Sequence, residues 1–207
     1  MGGLLTLLLI LLTFLFTEDT STETFVNDHF IKDNGEITTY MTSDDILSES
    51  IGLYMEYLVE TEQKQAFDEQ AALVRTKMDD GFIYWRFNAE ANANASVDDL
   101  RIMRAFYGAH ALWQEETYQT LGNEIKQFIL SEQVKNNLIV DYYDMKSLMT
   151  ANEVHLSYID GRALRNFFPN NIQQAHTDIL KRVSDDPFFL RYISLSKRNI
   201  RIRKKLI

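Results

Sequence analysis

From residue 44 to residue 183 the apolar positions recur with helical spacing. Leu47, Ile51, Tyr54, Met55 and Leu58 fall at i, i+4, i+7, i+8 and i+11, on one face of a helix that starts near Asp44. Phe67, Ala71, Val74 and Met78 predict a second helix over residues 64–78. The link between the two is short, so they form an antiparallel helix hairpin. Asp79-Asp80-Gly81 ends it, and residues 82–87 (FIYWRF) follow as an aromatic extended segment.

The pattern then repeats. Ser96 suits an N-cap, because a hydroxyl there accepts from free backbone N–H groups, and it precedes a helix over residues 97–113 with Leu100, Met103, Ala105, Tyr107 and Ala111 available for packing. A further helix over residues 116–132 carries Tyr118, Leu121, Ile125, Phe128 and Ile129. Residues 138–143 and 153–158 alternate as short extended segments. Helices over residues 161–168 and 172–183 make a third hairpin. Three successive hairpins with aromatic segments at their ends predict an all-α solenoid or toroid, with a plain helical bundle as the alternative. No GxGxxG follows a strand, so a dinucleotide-binding α/β fold has little support.

The N-terminal pattern differs. Residues 4–16 form an apolar run broken only by Thr6 and Thr13, shorter than the roughly 20 residues of a membrane-spanning helix. The run has the length of a secretion signal's apolar region, although no basic residue precedes it and no small-x-small cleavage site follows it. It predicts export, with the segment either cleaved or kept as a membrane anchor. The expected organisation is a signal-like segment over residues 1–16, a polar linker over 17–24, a helical domain over 25–186, and a basic tail over 187–207.

Charge narrows the partners. The net charge of −9 conceals an asymmetry: six of the 21 basic residues lie between Lys197 and Lys205, and the body without them stands at −15. So acidic a body repels phosphate backbones, which argues against nucleic acid and for a neutral or cationic ligand. Zero cysteines exclude disulfides, thiolate metal sites and cysteine nucleophiles. His29, His110, His155 and His176 show no metal-ligand spacing, so neither a metal nor another cofactor is expected.

Two helix openings carry acids: Ser48-Glu49-Ser50 and Ser96-Val97-Asp98-Asp99. Acids at helix starts are ordinary capping groups, favoured by the positive end of the helix dipole. Two presented carboxyls are also the minimum equipment for glycosidic-bond hydrolysis.

Four segments in order give the second reading its weight. Residues 47–55 (LSESIGLYM) resemble the Ser-Glu-Gly helix of the family-8 glycoside hydrolases, and residues 95–102 (ASVDDLRI) resemble their Ala-Thr-Asp-x-Asp-Leu-x-Ile helix. Trp85 sits where that family presents a stacking tryptophan, and Leu156-Ser157-Tyr158 is similar to its Pro-Ser-Tyr segment. The resemblance is closer to the exopolysaccharide-degrading branch than to the cellulases. It implies a toroid of six helix hairpins, the (α/α)6 barrel, with Glu49 as general acid. Asp99, or its neighbour Asp98, would position the sugar beside the scissile bond, together with Trp85 and Tyr158. It implies inversion at a β-linked bacterial polysaccharide, and a protein that is extracellular or membrane-anchored.

Ser50 departs from the family's glycine, and Val97 from its first aspartate. The hairpins number about three of six, so the chain is expected to be C-terminally truncated, without the region of the catalytic base. Asp141 and Asp144, in an aromatic loop, are the remaining acids to consider as a substitute base. Two alternatives to hydrolysis stay open: a non-catalytic carbohydrate-binding remnant, and a helical interaction scaffold. For Glu49 to hold a proton, burial beside aromatics and a close, charged Asp99 would have to outweigh the helix dipole.

Overall fold

The computed structural model describes residues 21–183, 190–196 and 199–204. The signal-like segment lies outside the described residues. Among those described, no helix is long and apolar enough to cross a membrane. Helix α1 (Ser21–Phe30) is followed by α2 (Ser48–Glu60) and α3 (Lys64–Thr76), and then by the short strands β1 (Met78–Asp79) and β2 (Phe82–Ile83). Next come α4 (Ser96–Trp113) and α5 (Glu116–Glu132), with β3 (Val134–Lys135), β4 (Leu138–Ile139), β5 (Tyr143–Asp144), β6 (Met149–Thr150) and β7 (Glu153–His155). A 3-10 turn (Leu156–Tyr158), α6 (Gly161–Phe167), α7 (Asn170–Val183), β8 (Leu190–Ser196) and β9 (Asn199–Lys204) complete the order.

The three predicted hairpins are α2–α3, α4–α5 and α6–α7. Their first helices pack side by side in the order α2, α4, α6, and each second helix packs back against the first helix of its hairpin. This is a partial (α/α)6 toroid. Its main core joins Ile51, Met55 and Leu58 of α2 to Ile102, Met103 and Phe106 of α4 and to Ile125 and Ile129 of α5. Phe67 fills the centre, edge-on to Phe106 and Tyr118 at 6.0 and 5.1 Å. Gly52 lets α2 and α4 approach closely: a Cβ there would lie 3.1 Å from Ile102.

The first two hairpins each end in a tight two-stranded ladder. The β1–β2 turn has Asp80 and Gly81 at φ 47° and 87°, and the β3–β4 turn has Asn136 and Asn137 at 52° and 63°. Two consecutive positive φ values are what a two-residue primed turn demands, and Asp-Gly and Asn-Asn suit it. Gly81 also packs its Cα against α5, where an added Cβ would meet Glu124 O at 2.2 Å.

The stretch expected as a polar linker over residues 17–24 overlaps α1, which begins at Ser21; residues 17–20 lie outside the described residues. The basic tail is not unpatterned: β8 pairs antiparallel with β7, with Val154 opposite Ile193, and β9 continues the sheet. Ile193 and Leu195 close a second core with Leu138, Val140, Val154 and Ile179. Alternating apolar positions between basic ones provide that strand period.

Candidate functional site

The starts of α2 and α4 lie together, held by main chain and not by caps. Ser48 N donates to Trp85 O (3.0 Å), and Ser96 N donates to Asp141 O (2.8 Å). The helix-preceding residues are Leu47 and Ala95, neither with a side-chain cap. The expected Ser96 cap is therefore absent; Ser96 is the first helical residue and is buried. The acids at these starts are free for other roles.

Beneath the surface a polar network forms a floor. Asn94 Nδ2 donates to Asp99 Oδ2 (2.5 Å) and Gln133 Oε1 (2.8 Å), while Asn94 Oδ1 accepts from Tyr143 N (2.6 Å) and Gln133 Nε2 (3.3 Å). Asp99 is 0% exposed, and its Oδ1 has no partner among the described residues. Burial, and then the Asp98 charge, hold its carboxyl well above the usual aspartate range, against the Asn94 hydrogen bond.

Above this floor opens a pocket of about 570 Å³, lined by Glu49, Trp85, Asp98, Asp141, Tyr142 and Tyr158 among others. Four residues singled out from separate segments, Glu49, Trp85, Asp98 and Tyr158, therefore meet there. Asp99 does not line it. Asp98 does, and the Ser48 hydroxyl donates to its Oδ2 at 2.7 Å, tying the two helix starts together. Burial pushes the Asp98 carboxyl up to about 6; the Ser48 hydrogen bond and Arg101 oppose the rise, and the Glu49 charge adds to it.

The expected Glu49–Asp99 neighbourhood is thus a Glu49–Asp98 neighbourhood, with Asp99 one layer down. The expected burial of Glu49 also fails, since Glu49 is exposed on the pocket wall. Trp85 is 39% exposed, with the Arg86 guanidinium 5.9 Å from its ring centroid. Tyr158 is half-buried, and its hydroxyl is pushed upward by burial and then by Asp98, Asp141 and Glu49. Asp144 lies outside the pocket and caps a turn at Ser147, accepting from its N and Oγ at 2.7 and 2.9 Å.

Sequence reasoning missed His155 and Glu153. Both line the pocket from alternate positions of β7, on the same face of the strand. Asp141, 3% exposed, accepts from His155 N through Oδ1 (2.7 Å) and from His155 Nδ1 through Oδ2 (2.5 Å). Ligand atoms of Asp141, Glu153 and His155 lie within 4.8 Å of one another, a donor set of metal-binding type. In this arrangement both Asp141 oxygens serve His155.

Asp98 gives a pH prediction. Its folded pKa is raised, so its contribution to stability is complete below about pH 4 and is lost as pH rises through about 6. Asp98→Asn keeps an acceptor for Ser48 and removes the charge. Relative to wild type, the variant should gain roughly 1–3 kcal/mol between pH 4.5 and 7.5, on the scale of 1.4 kcal/mol per pKa unit. Urea unfolding at the two pH values measures this, and parallel pH profiles for the two proteins would refute it.

Comparison with known proteins agrees with this fold. The profile of the family described as "Glycosyl hydrolases family 8" matches residues 8–178. The chain is 29% identical over 161 residues to the Bacillus subtilis (strain 168) protein named "Putative lipoprotein YdaJ", covering 75% of this chain and 44% of that protein. It superposes on the crystal structure of PssZ from Listeria monocytogenes with a TM-score of 0.77 and 30% identity, covering 88% of this chain and 59% of PssZ. Endoglucanase Cel10 from Klebsiella pneumoniae, a family 8 glycosyl hydrolase, shares the fold at a TM-score of 0.74 and 18% identity, over 87% of this chain and 65% of that one. The chain thus spans roughly half the length of these relatives. With that profile spanning most of a chain folded as a partial (α/α)6 toroid, the chain belongs to glycosyl hydrolase family 8.

Proposed function

We propose that the pocket binds a β-linked bacterial polysaccharide and takes part in its hydrolysis with inversion. Glu49 is the general acid, Asp98 positions the sugar beside the scissile bond, and Trp85 and Tyr158 offer ring faces to sugar rings. The observation that carries the reading is the meeting of these four residues in one concave pocket. Asp99 supports the site from below as part of the floor. An extracellular or membrane-anchored location fits the apolar run at residues 4–16 and the description of the Bacillus relative as a lipoprotein.

Inversion needs a second carboxylate about 6.5–9.5 Å from the acid, to activate water on the far side of the ring. Asp141 is poorly suited to that task, because both of its oxygens accept from His155. A second reading, binding without turnover, has its own observation. Glu49 is exposed, whereas a general acid working near neutral pH is ordinarily kept protonated by burial.

Reducing-end release from β-1,4-glucan and from purified bacterial exopolysaccharides distinguishes the readings, combined with affinity electrophoresis on the same polymers. Release supports hydrolysis; retention without release supports binding alone; neither removes both. In either reading, Trp85→Ala should weaken retention about tenfold or more, since an aromatic contact of this kind contributes on the order of 1–3 kcal/mol. Unchanged retention would take Trp85 out of the binding surface.

A further inference from the structure

A second pocket, about 560 Å³, adjoins the first, and its chemistry is opposite. It is lined by Arg101, Arg104, Arg162 and Arg165, with a single carboxylate, Asp160, on its wall. Two of these arginines are internally neutralised. Arg104 bridges Glu56 (2.5 Å) and Asp160 (2.7 Å), and Arg101 faces Asp98 at 3.4 Å. Asp160 is also committed to α6, where it accepts from Arg162 N and Ala163 N. Arg162 and Arg165 stand three residues apart, on one side of α6. Both are exposed, and neither has an ion-pair partner among the described residues. Arg162 feels the charge of Glu56 without pairing with it, so in a chain of net charge −9 this concave site keeps two guanidinium groups outside any ion pair among the described residues.

The two pockets are neighbours. Val97 lines both, Ser157 lines one and Tyr158 the other, and the Asp98–Arg101 pair lies between them. A polymer bound along Trp85, Asp98 and Tyr158 therefore passes close to the arginine pocket.

We propose that Arg162 and Arg165 bind an acidic substituent of the polysaccharide, a carboxylate or phosphate ester carried on a sugar next to the one held at Asp98. Planar guanidinium groups match such anions through paired N–H donors, a geometry that lysine does not reproduce. The substrate class is then an anionic β-linked polysaccharide, read by two pockets of opposite charge. This rests on the proposed polysaccharide function, but the anion site can be tested apart from it.

The test uses the full chain and isothermal titration calorimetry at low salt, with cellohexaose, a cellohexaose analogue carrying one terminal glucuronate, glucuronate, glucose and inorganic phosphate as probes. The hexamer with the single acid should bind at least about tenfold more tightly than cellohexaose. Arg162→Ala/Arg165→Ala should abolish that preference and leave cellohexaose affinity and the melting temperature unchanged. Equal affinity for the two hexamers, or a preference that survives the double variant, would overturn the proposal. Phosphate binding as tightly as the acidic hexamer would identify a free-anion site and also overturn it. The single sugars report on the arginine pocket alone. Glucuronate binding that is lost in the double variant, with neither hexamer held more tightly than its single sugar, would keep the anion site while rejecting the polysaccharide groove.

Discussion

Glu49→Gln should lower reducing-end release at least about 100-fold while leaving polysaccharide affinity within about twofold, if the pocket hydrolyses its ligand. The glutamine has the same shape, and its amide cannot deliver a proton to the departing glycosidic oxygen. General acid catalysis contributes on the order of 10²–10⁴ in rate, which sets the scale of the loss. Glu49 takes no part in the hydrogen bonds that fix Asp98, which come from Ser48 and Arg101, so the variant should melt at the wild-type temperature. Removing Glu49 also removes a charge that raises Asp98, so the Asp98 carboxyl should titrate lower in the variant. Carbon-13 NMR of labelled aspartate would record that shift. Equal release by wild type and variant takes Glu49 out of the chemistry, whatever the NMR shows.

The largest effect on stability is expected at Gly81→Ala. Two penalties combine there. The residue sits at φ 87°, where a side chain costs about 1–2 kcal/mol, and its Cβ would fall 2.2 Å from the main-chain oxygen of Glu124, which cannot swing aside as a side chain can. Overpacking of that kind costs about 1–3 kcal/mol, so the sum is roughly 2–5 kcal/mol. For a domain stable by about 5–15 kcal/mol this is a large share. The pocket should suffer as well, because the same hairpin leads into Trp85, whose main chain holds Ser48. Gly161→Ala is the matching control: nothing lies within 4 Å of its added Cβ, and the residue opens α6, so the change should stay within about 0.5 kcal/mol. Urea unfolding of both variants measures the contrast. A Gly81→Ala protein as stable as wild type would mean that the β1–β2 turn can leave α5 without cost.

The helix hairpins were legible because their apolar stripes are long and the breaks between them are chemically marked, Asp80-Gly81 being the plainest. Helix α1 was not, since only Phe25, Val26 and Phe30 punctuate a stretch of polar and acidic residues. Strands β8 and β9 were hidden for a different reason. Their pairing with β7 is a long-range contact, and the basic residues between their apolar positions read as a solvated tail.

At the site, the motifs located the right segments but not the rotation of α4. The spacing does not settle it. Asp99 stands three, four and seven residues before Ile102, Met103 and Phe106, and Asp98 four and seven before Ile102 and Ala105, all buried, so both acids are in phase with the core. The His155–Asp141 contact had no signal either, because it joins a strand to a loop across 14 residues through a turn of unpredictable path.

The Asn94 amide has two donors and two acceptor positions, and all four are in use. A side chain with no spare valence cannot be exchanged for another without orphaning a buried neighbour. For protein engineering this divides the pocket into a fixed foundation and an editable rim. A library intended to change what the pocket holds should vary Trp85, Tyr142 and Tyr158, whose rings are partly open to solvent, and leave Asn94, Asp99 and Gln133 untouched.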